Sequence, residues 1–142
     1  MTSQSHRAFK VSDADYLTLA AFRASLRRFL RSSEGIAHGL GLTPQQHQVL
    51  LAIRGFPGDE PPSVGELAAR LQVNHNSAVG LVTRLENQGY LRRTQAKGDR
   101  RRVHISLTPK GQGVLDRLTE AHRIELRHIG PEITRLLAEL TR

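Results

Sequence analysis

The residues best equipped for chemistry lie between His75 and Arg102. His75, Asn76, Ser77, Gly80, Thr83 and Arg84 recur at three- and four-residue spacing and share one face of a helix. Amide, hydroxyl, imidazole and guanidinium groups are those that read base edges when a helix enters the major groove. Taken alone, the same face also fits an ordinary solvated surface. The residues that follow tip the balance. From Arg84 to Arg102 the chain holds seven cations (Arg84, Arg92, Arg93, Lys97, Arg100, Arg101, Arg102) against two acids, Glu86 and Asp99. These 19 residues carry more than half of the chain's net charge of +8. Cations packed so densely beside a polar helix face match the phosphates and minor groove of a duplex.

The elements that must position these groups are legible on either side. Ser63 and Glu66 stand at capping-box spacing, and Leu67, Ala68 and Leu71 then follow on one helical face. Gln72 and Val73 form a break, and Asn74 is suited to cap a second helix from about Asn76 to Asn87. Its inward stripe is Ala78, Leu81, Val82 and Leu85, and Gly89 suits a left-handed end. Tyr90 to Gln95 predicts a strand, Ala96 to Asp99 a turn around Gly98, and Arg102 to Leu107 the return strand. Val103, Ile105 and Leu107 alternate with Arg102, His104 and Ser106, which places His104 on the outer surface of the hairpin. Two helices separated by a break and followed by a basic hairpin make a winged helix-turn-helix. The fold class is mainly α with a small β-hairpin wing (α+β).

The flanks read as helices. Ser12 caps one from about Asp13 to His38, with Leu19, Phe22, Leu26, Phe29 and Ile36 on one face and Arg23, Arg27, Arg28 and Arg31 on the other. Thr43-Pro44-Gln45-Gln46 opens a second, running to about Arg54, by cap, proline and capping box. Gly55 to Pro62 is a connector. Thr108-Pro109 opens a long helix to about His128. Gly130-Pro131 is expected to break it before a last helix, Pro131 to Leu140. Ile133, Leu136, Leu137 and Leu140 stripe that last helix and call for a partner surface.

Composition narrows the classes. A chain of 142 residues, 38% hydrophobic, is one domain. With no cysteine, disulfides, thiolate metal sites and thiol sensing are excluded. No run of 18 apolar residues or signal-peptide core occurs, so a cytoplasmic protein without membrane association is expected. No phosphate loop, nucleophile elbow or His-Glu-x-x-His is present; an enzyme is not expected, and no cofactor. His38, His47, His122 and His128 could converge, but their spacing makes scattered histidines the better reading than a metal site.

The run GDRRRVHISLTPKG resembles the wing of the multiple antibiotic resistance regulator (MarR) family. Asp99 and Arg101 match that family's Asp-x-Arg pair, and Leu107, Thr108 and Gly111 its Leu-Thr-x-x-Gly. VGELAARLQV and LVTRLENQGYLRR are similar to its helix pair. The resemblance covers about Gly39 to Gly111, with the ends matched by helix layout. Gly80 departs from it, standing where many members carry a larger polar or basic side chain.

The resemblance implies a single MarR-like domain over residues 1–142. Residues of about 12–38 and 109–142 would be dimerisation helices, and about 43–108 the winged DNA-binding region. It implies a homodimer on a palindromic operator in double-stranded DNA, acting most simply as a repressor. His75, Asn76, Ser77, Gly80, Thr83 and Arg84 would face the major groove, and Lys97, Arg100, Arg101 and Arg102 the phosphates or minor groove. Asp99 would orient Arg101. Thr43, Gln45 and Ser63 would meet phosphates from helix N-termini. Relief by a small anionic aromatic ligand is implied too, with Arg23, Arg27 and His47 as candidate contacts. A winged-helix protein-interaction module and a metal-sensing repressor stand as alternatives.

Overall fold

The structure, a computed structural model, describes residues 10–96 and 98–142 of the chain. Among the described residues seven elements follow in order: α1 (Asp13–Gly39), α2 (Pro44–Arg54), α3 (Val64–Leu71), α4 (His75–Asn87), β1 (Leu91–Ala96), β2 (Asp99–Leu107) and α5 (Pro109–Leu140).

The starts of the helices follow the capping chemistry. Ser12, Thr43 and Ser63 each accept from the backbone N–H three residues on, and Asp15, Gln46 and Glu66 reach back to close capping boxes. Asn74 Oδ1 accepts from the Ser77 N–H at 2.7 Å and starts α4 one residue earlier than the sequence predicts. Between α3 and α4 the chain turns through Gln72, at φ 57° and ψ 42°, a left-handed residue that is not glycine.

One core joins the three helices of the head to the wing and to the start of α5. Leu50, Leu67, Leu85, Ile105 and Leu118 are fully buried in it, with Val49, Val82 and Leu91 nearly so. Each such side chain contributes about 1.5–3 kcal/mol of burial free energy. The wing is an antiparallel pair running from Leu91↔Leu107 to Gln95↔Val103. The register then shifts, and Ala96 pairs with Asp99. Residues 100–102 are therefore extra on the β2 side, and the hairpin bulges at its most basic point.

α1 packs along α5. Here the structure corrects the expected break. α5 runs without interruption from Pro109 to Leu140, with Pro131 inside it. Proline removes the bond to the carbonyl four residues back. That carbonyl belongs to Arg127, and both Arg127 and Pro131 are exposed, so water can take the bond. Contacts on both sides of the proline hold the helix to α1. Ile129 and Leu136 are buried, Arg28 pairs with Glu132 at 3.2 Å, and Thr18 bonds Glu139 at 3.3 Å. The apolar face of α1 is covered only in part: Phe22, Leu26, Phe29 and Ile36 are half-buried and Leu19 is 49% exposed.

Candidate nucleic-acid interface

α4 presents one polar face outward. His75, Asn76, Ser77, Gly80, Thr83 and Arg84 are all exposed, while Ala78, Val82 and Leu85 on the other face are buried. A shallow groove of about 350 Å3 lies along this face, lined by Gln45, Val73, Asn76, Ser77, Gly80, Leu81 and Arg84. Gln45 reaches it from the first turn of α2, so the start of α2 and the outward face of α4 form one surface.

Thr83 is engaged within the fold. Its hydroxyl accepts from Arg93 Nη2 at 3.0 Å, and Arg93 Nε lies 3.4 Å from Glu86. Arg93, on β1, thereby grips the outer edge of α4. Arg102 likewise donates to Glu66 Oε1 at 2.7 Å and ties β2 to the first turn of α3. The Arg102 hydrogen bond first, then the Ser63 backbone N–H, hold the Glu66 carboxyl below the usual carboxylate range. Two of the seven cations counted in the sequence therefore set the position of the wing. Arg92 is exposed on β1. The assignment made to Lys97 lies outside the described residues, as do the side chains of Asp99, Arg100 and Arg101.

The hydroxyls of Thr43 and Ser63 are used in their capping boxes, accepting from Gln46 N at 3.1 Å and Glu66 N at 3.2 Å. Thr43 and Gln45 are exposed at the start of α2, and Ser63 is half-buried at the start of α3.

The end of α4 is tied as firmly as its start. Gln46 Nε2 donates to Gln88 Oε1 at 3.2 Å, Lys110 Nζ donates to the Gln88 carbonyl at 2.8 Å, and the Thr108 hydroxyl donates to the Gly89 carbonyl. Gly111 lies against this knot: a Cβ there would stand 2.1 Å from the Tyr90 carbonyl oxygen. Sequence reasoning missed Arg93, Gln46 and Lys110 as positioning groups. The capping box of Gln46 is legible, but its contact with Gln88, like those of Arg93 and Lys110, crosses between elements, and no local pattern marks it.

One histidine falls elsewhere than expected. His104 is buried, not on the wing surface, because the 55–62 connector folds over that side of β2. The Ile105 N–H donates to the Pro62 carbonyl at 2.9 Å, and Glu60 Oε2 comes to 3.8 Å from His104 Nε2, beyond hydrogen-bond reach. His47 is buried on α2 and stacks on His122, with ring centroids 4.7 Å apart. His122 in turn lies 2.6 Å from the Ser33 hydroxyl and 2.6 Å from the Leu118 carbonyl. Arg23 and Arg27 are exposed on α1. Among the described residues no group of three or more His, Cys, Asp or Glu side chains could hold a metal ion.

Three packed helices followed by a basic two-stranded wing define a winged helix-turn-helix protein. Comparison with known proteins agrees: the profile of the MarR family matches residues 40–102. The HTH-type transcriptional regulator PrsX of Escherichia coli is 30% identical over 111 residues, covering 77% of this chain and 67% of PrsX. The HTH-type transcriptional regulator PecS of Dickeya dadantii is 31% identical over 81 residues, 57% of this chain, and the chain spans only about half (49%) of the PecS length. A MepR mutant of S. aureus, solved bound to an oligodeoxyribonucleotide, superposes with a TM-score of 0.67 at 21% identity, over 92% of this chain and 95% of that one. The chain belongs to the MarR family. Among the described residues, no helix is long and apolar enough to cross a membrane.

Proposed function

We propose that the chain is a sequence-specific transcriptional regulator that binds double-stranded DNA as a homodimer and represses by occluding a promoter. One observation carries the reading. Asn76, Ser77, Gly80 and Arg84 lie exposed on a single face of α4, and among the described residues no hydrogen bond or ion pair uses the side chains of Asn76, Ser77 or Arg84. Groups that hydrogen-bond base edges are thus left available beside a basic wing. The DNA-bound relative MepR and the regulators PrsX and PecS support the same direction.

The homodimer rests on surface left uncovered on α1 and α5. Tyr16, Leu17 and Leu30 are 65%, 73% and 50% exposed on α1, and Ile124 and Leu126 are 52% and 46% exposed on α5. A two-fold pairing of these helices would set two copies of α4 one DNA turn apart, roughly 34–36 Å, on a palindromic operator. Arg101, Arg100 and Lys97 are proposed as the phosphate and minor-groove contacts of the wing, with Asp99 orienting Arg101. A small anionic aromatic ligand that relieves binding belongs to the same reading. Exposed Arg23 and Arg27 are the cations it would meet. Buried His47, its pKa lowered by desolvation and then by the neighbouring His122, is the weaker candidate contact.

The test is selection of binding sites from a random duplex library, repeated with Asn76→Ala. The parent should return a two-fold symmetric site, and the variant should lose preference at one position per half-site. A parent that enriches no sequence at low salt would refute the reading and favour a protein-interaction module.

A further inference from the structure

The outward face of α4 contains a glycine that the fold does not need. Gly80 is the sole glycine of α4, and it sits mid-helix with ordinary helical backbone, outside the positive-φ positions. Beyond the neighbouring backbone of α4 itself, a Cβ built there meets no atom of the described residues within 4 Å, so packing does not demand its absence. Glycine in a helix interior lowers stability relative to alanine, because it loses more backbone freedom on folding. Gly111 shows the contrast, since a Cβ at that position would run into the Tyr90 carbonyl.

What surrounds Gly80 suggests a use. Asn76 and Arg84 lie one turn to either side of it on the same stripe, and Ser77 flanks it. All of them line the groove of about 350 Å3 that Gln45 closes from α2 and that Val73 and Leu81 floor. At Gly80, between Asn76 and Arg84, the helix adds no side chain to the lining of this groove. Asparagine and arginine are both able to bond base edges bidentately. A helix inserted so that both reach neighbouring base pairs must bring the backbone between them close to the intervening step.

We propose that Gly80 is a specificity-determining residue: its bare backbone admits the edge of one base pair, between Asn76 and Arg84, closer to α4 than any side chain would allow. This rests on the DNA-binding reading given above. It goes beyond that reading in assigning selectivity to an absent side chain, and it opposes stability and recognition at one position.

Gly80→Ala tests it, with Gly80→Ser beside it as a second, slightly larger filling of the gap. Affinity is measured for the duplex selected by the parent and for a scrambled duplex of equal length, together with the thermal midpoint. Alanine should raise the midpoint by about 2–4 °C. It should weaken binding to the selected duplex by about tenfold or more, the size of one good base contact, and leave the scrambled duplex unaffected. Serine should weaken the selected duplex at least as much. Unchanged affinity for the selected duplex overturns the proposal. Equal weakening on both duplexes overturns it too, because it would place the sugar-phosphate backbone over Gly80. A parent that binds both duplexes alike instead refutes the sequence-specific reading given above and takes this inference with it.

Discussion

Arg102 on the return strand of the wing and Glu66 in the first turn of α3 meet at 2.7 Å, although 36 residues separate them in the chain. The contact gives Glu66 two tasks, closing the capping box on Ser63 and anchoring the wing. Both side chains stay partly exposed, 48% and 37%, so the pair contributes at most about 1 kcal/mol to folding. Its value lies in position: it ties the return strand of the wing to the first turn of α3.

That division of labour among arginines separates two variants. Arg101→Ala should flatten the dependence of log K on log salt by about one per subunit, as loss of a phosphate contact requires. Arg102→Ala should leave the slope as it is and lower affinity modestly at every salt concentration. Equal flattening by both variants would show that Arg102 reaches DNA and that its pairing with Glu66 is broken in the complex.

Gly111 allows no side chain. A Cβ would stand 2.1 Å from the Tyr90 carbonyl oxygen and 3.0 Å from its carbon, and both are backbone atoms that cannot rotate away. Gly111→Ala should destabilise by about 1–3 kcal/mol, the range for overpacking a close contact. Urea unfolding measures it, and an unshifted midpoint would mean that α5 and Tyr90 separate at little cost.

Gln72 makes the turn between α3 and α4 in the left-handed region at φ 57°. That conformation costs a residue with a Cβ roughly 1–2 kcal/mol, and glycine escapes most of the penalty. Gln72→Gly should therefore stabilise by a net of about 0.5–1 kcal/mol after its greater freedom in the unfolded chain is counted. Gln72→Val should do the opposite. If glycine proves destabilising, side-chain contacts of Gln72 outweigh the backbone strain.

His47 supplies a pH dependence. Burial first, and His122 beside it second, lower its pKa from 6.5. The unfolded chain then binds a proton more readily than the folded one, so stability rises with pH across the window between the two values. The contribution is fully present above about pH 6.5 and lost as the pH falls toward the folded-state pKa. Thermal midpoints taken from pH 7.5 to pH 5 should decline more steeply for the parent than for His47→Gln. Parallel curves would mean that the imidazole is protonated without penalty in the folded protein.

Much of the fold is legible in the sequence because its signals are local. Capping pairs three residues apart, Ser63 with Glu66 and Thr43 with Gln46, announce helix starts whatever lies around them. Alternation in Val103, Ile105 and Leu107 announces the strand. The exposed face of α4 follows from its apolar stripe, since Ala78, Val82 and Leu85 can face only the core. Even the family was readable, through Asp99, Arg101, Leu107, Thr108 and Gly111.

What the tertiary structure alone decided involves partners distant in the chain. Proline at 131 reads locally as a stop, yet α5 continues through it packed along α1, which it meets before the proline at Ser33–His122 and after it at Arg28–Glu132. His104 reads as solvated, yet the connector carrying Glu60 and Pro62 covers it. Seven cations add to the same local charge, yet Arg93 and Arg102 pair with Thr83, Glu86 and Glu66 on other elements. Local pattern determined where the elements start, because hydrogen bonds and caps within a few residues set those positions. Only packing determined which charges remain for a ligand, because that depends on which side chains the finished fold brings within reach of one another.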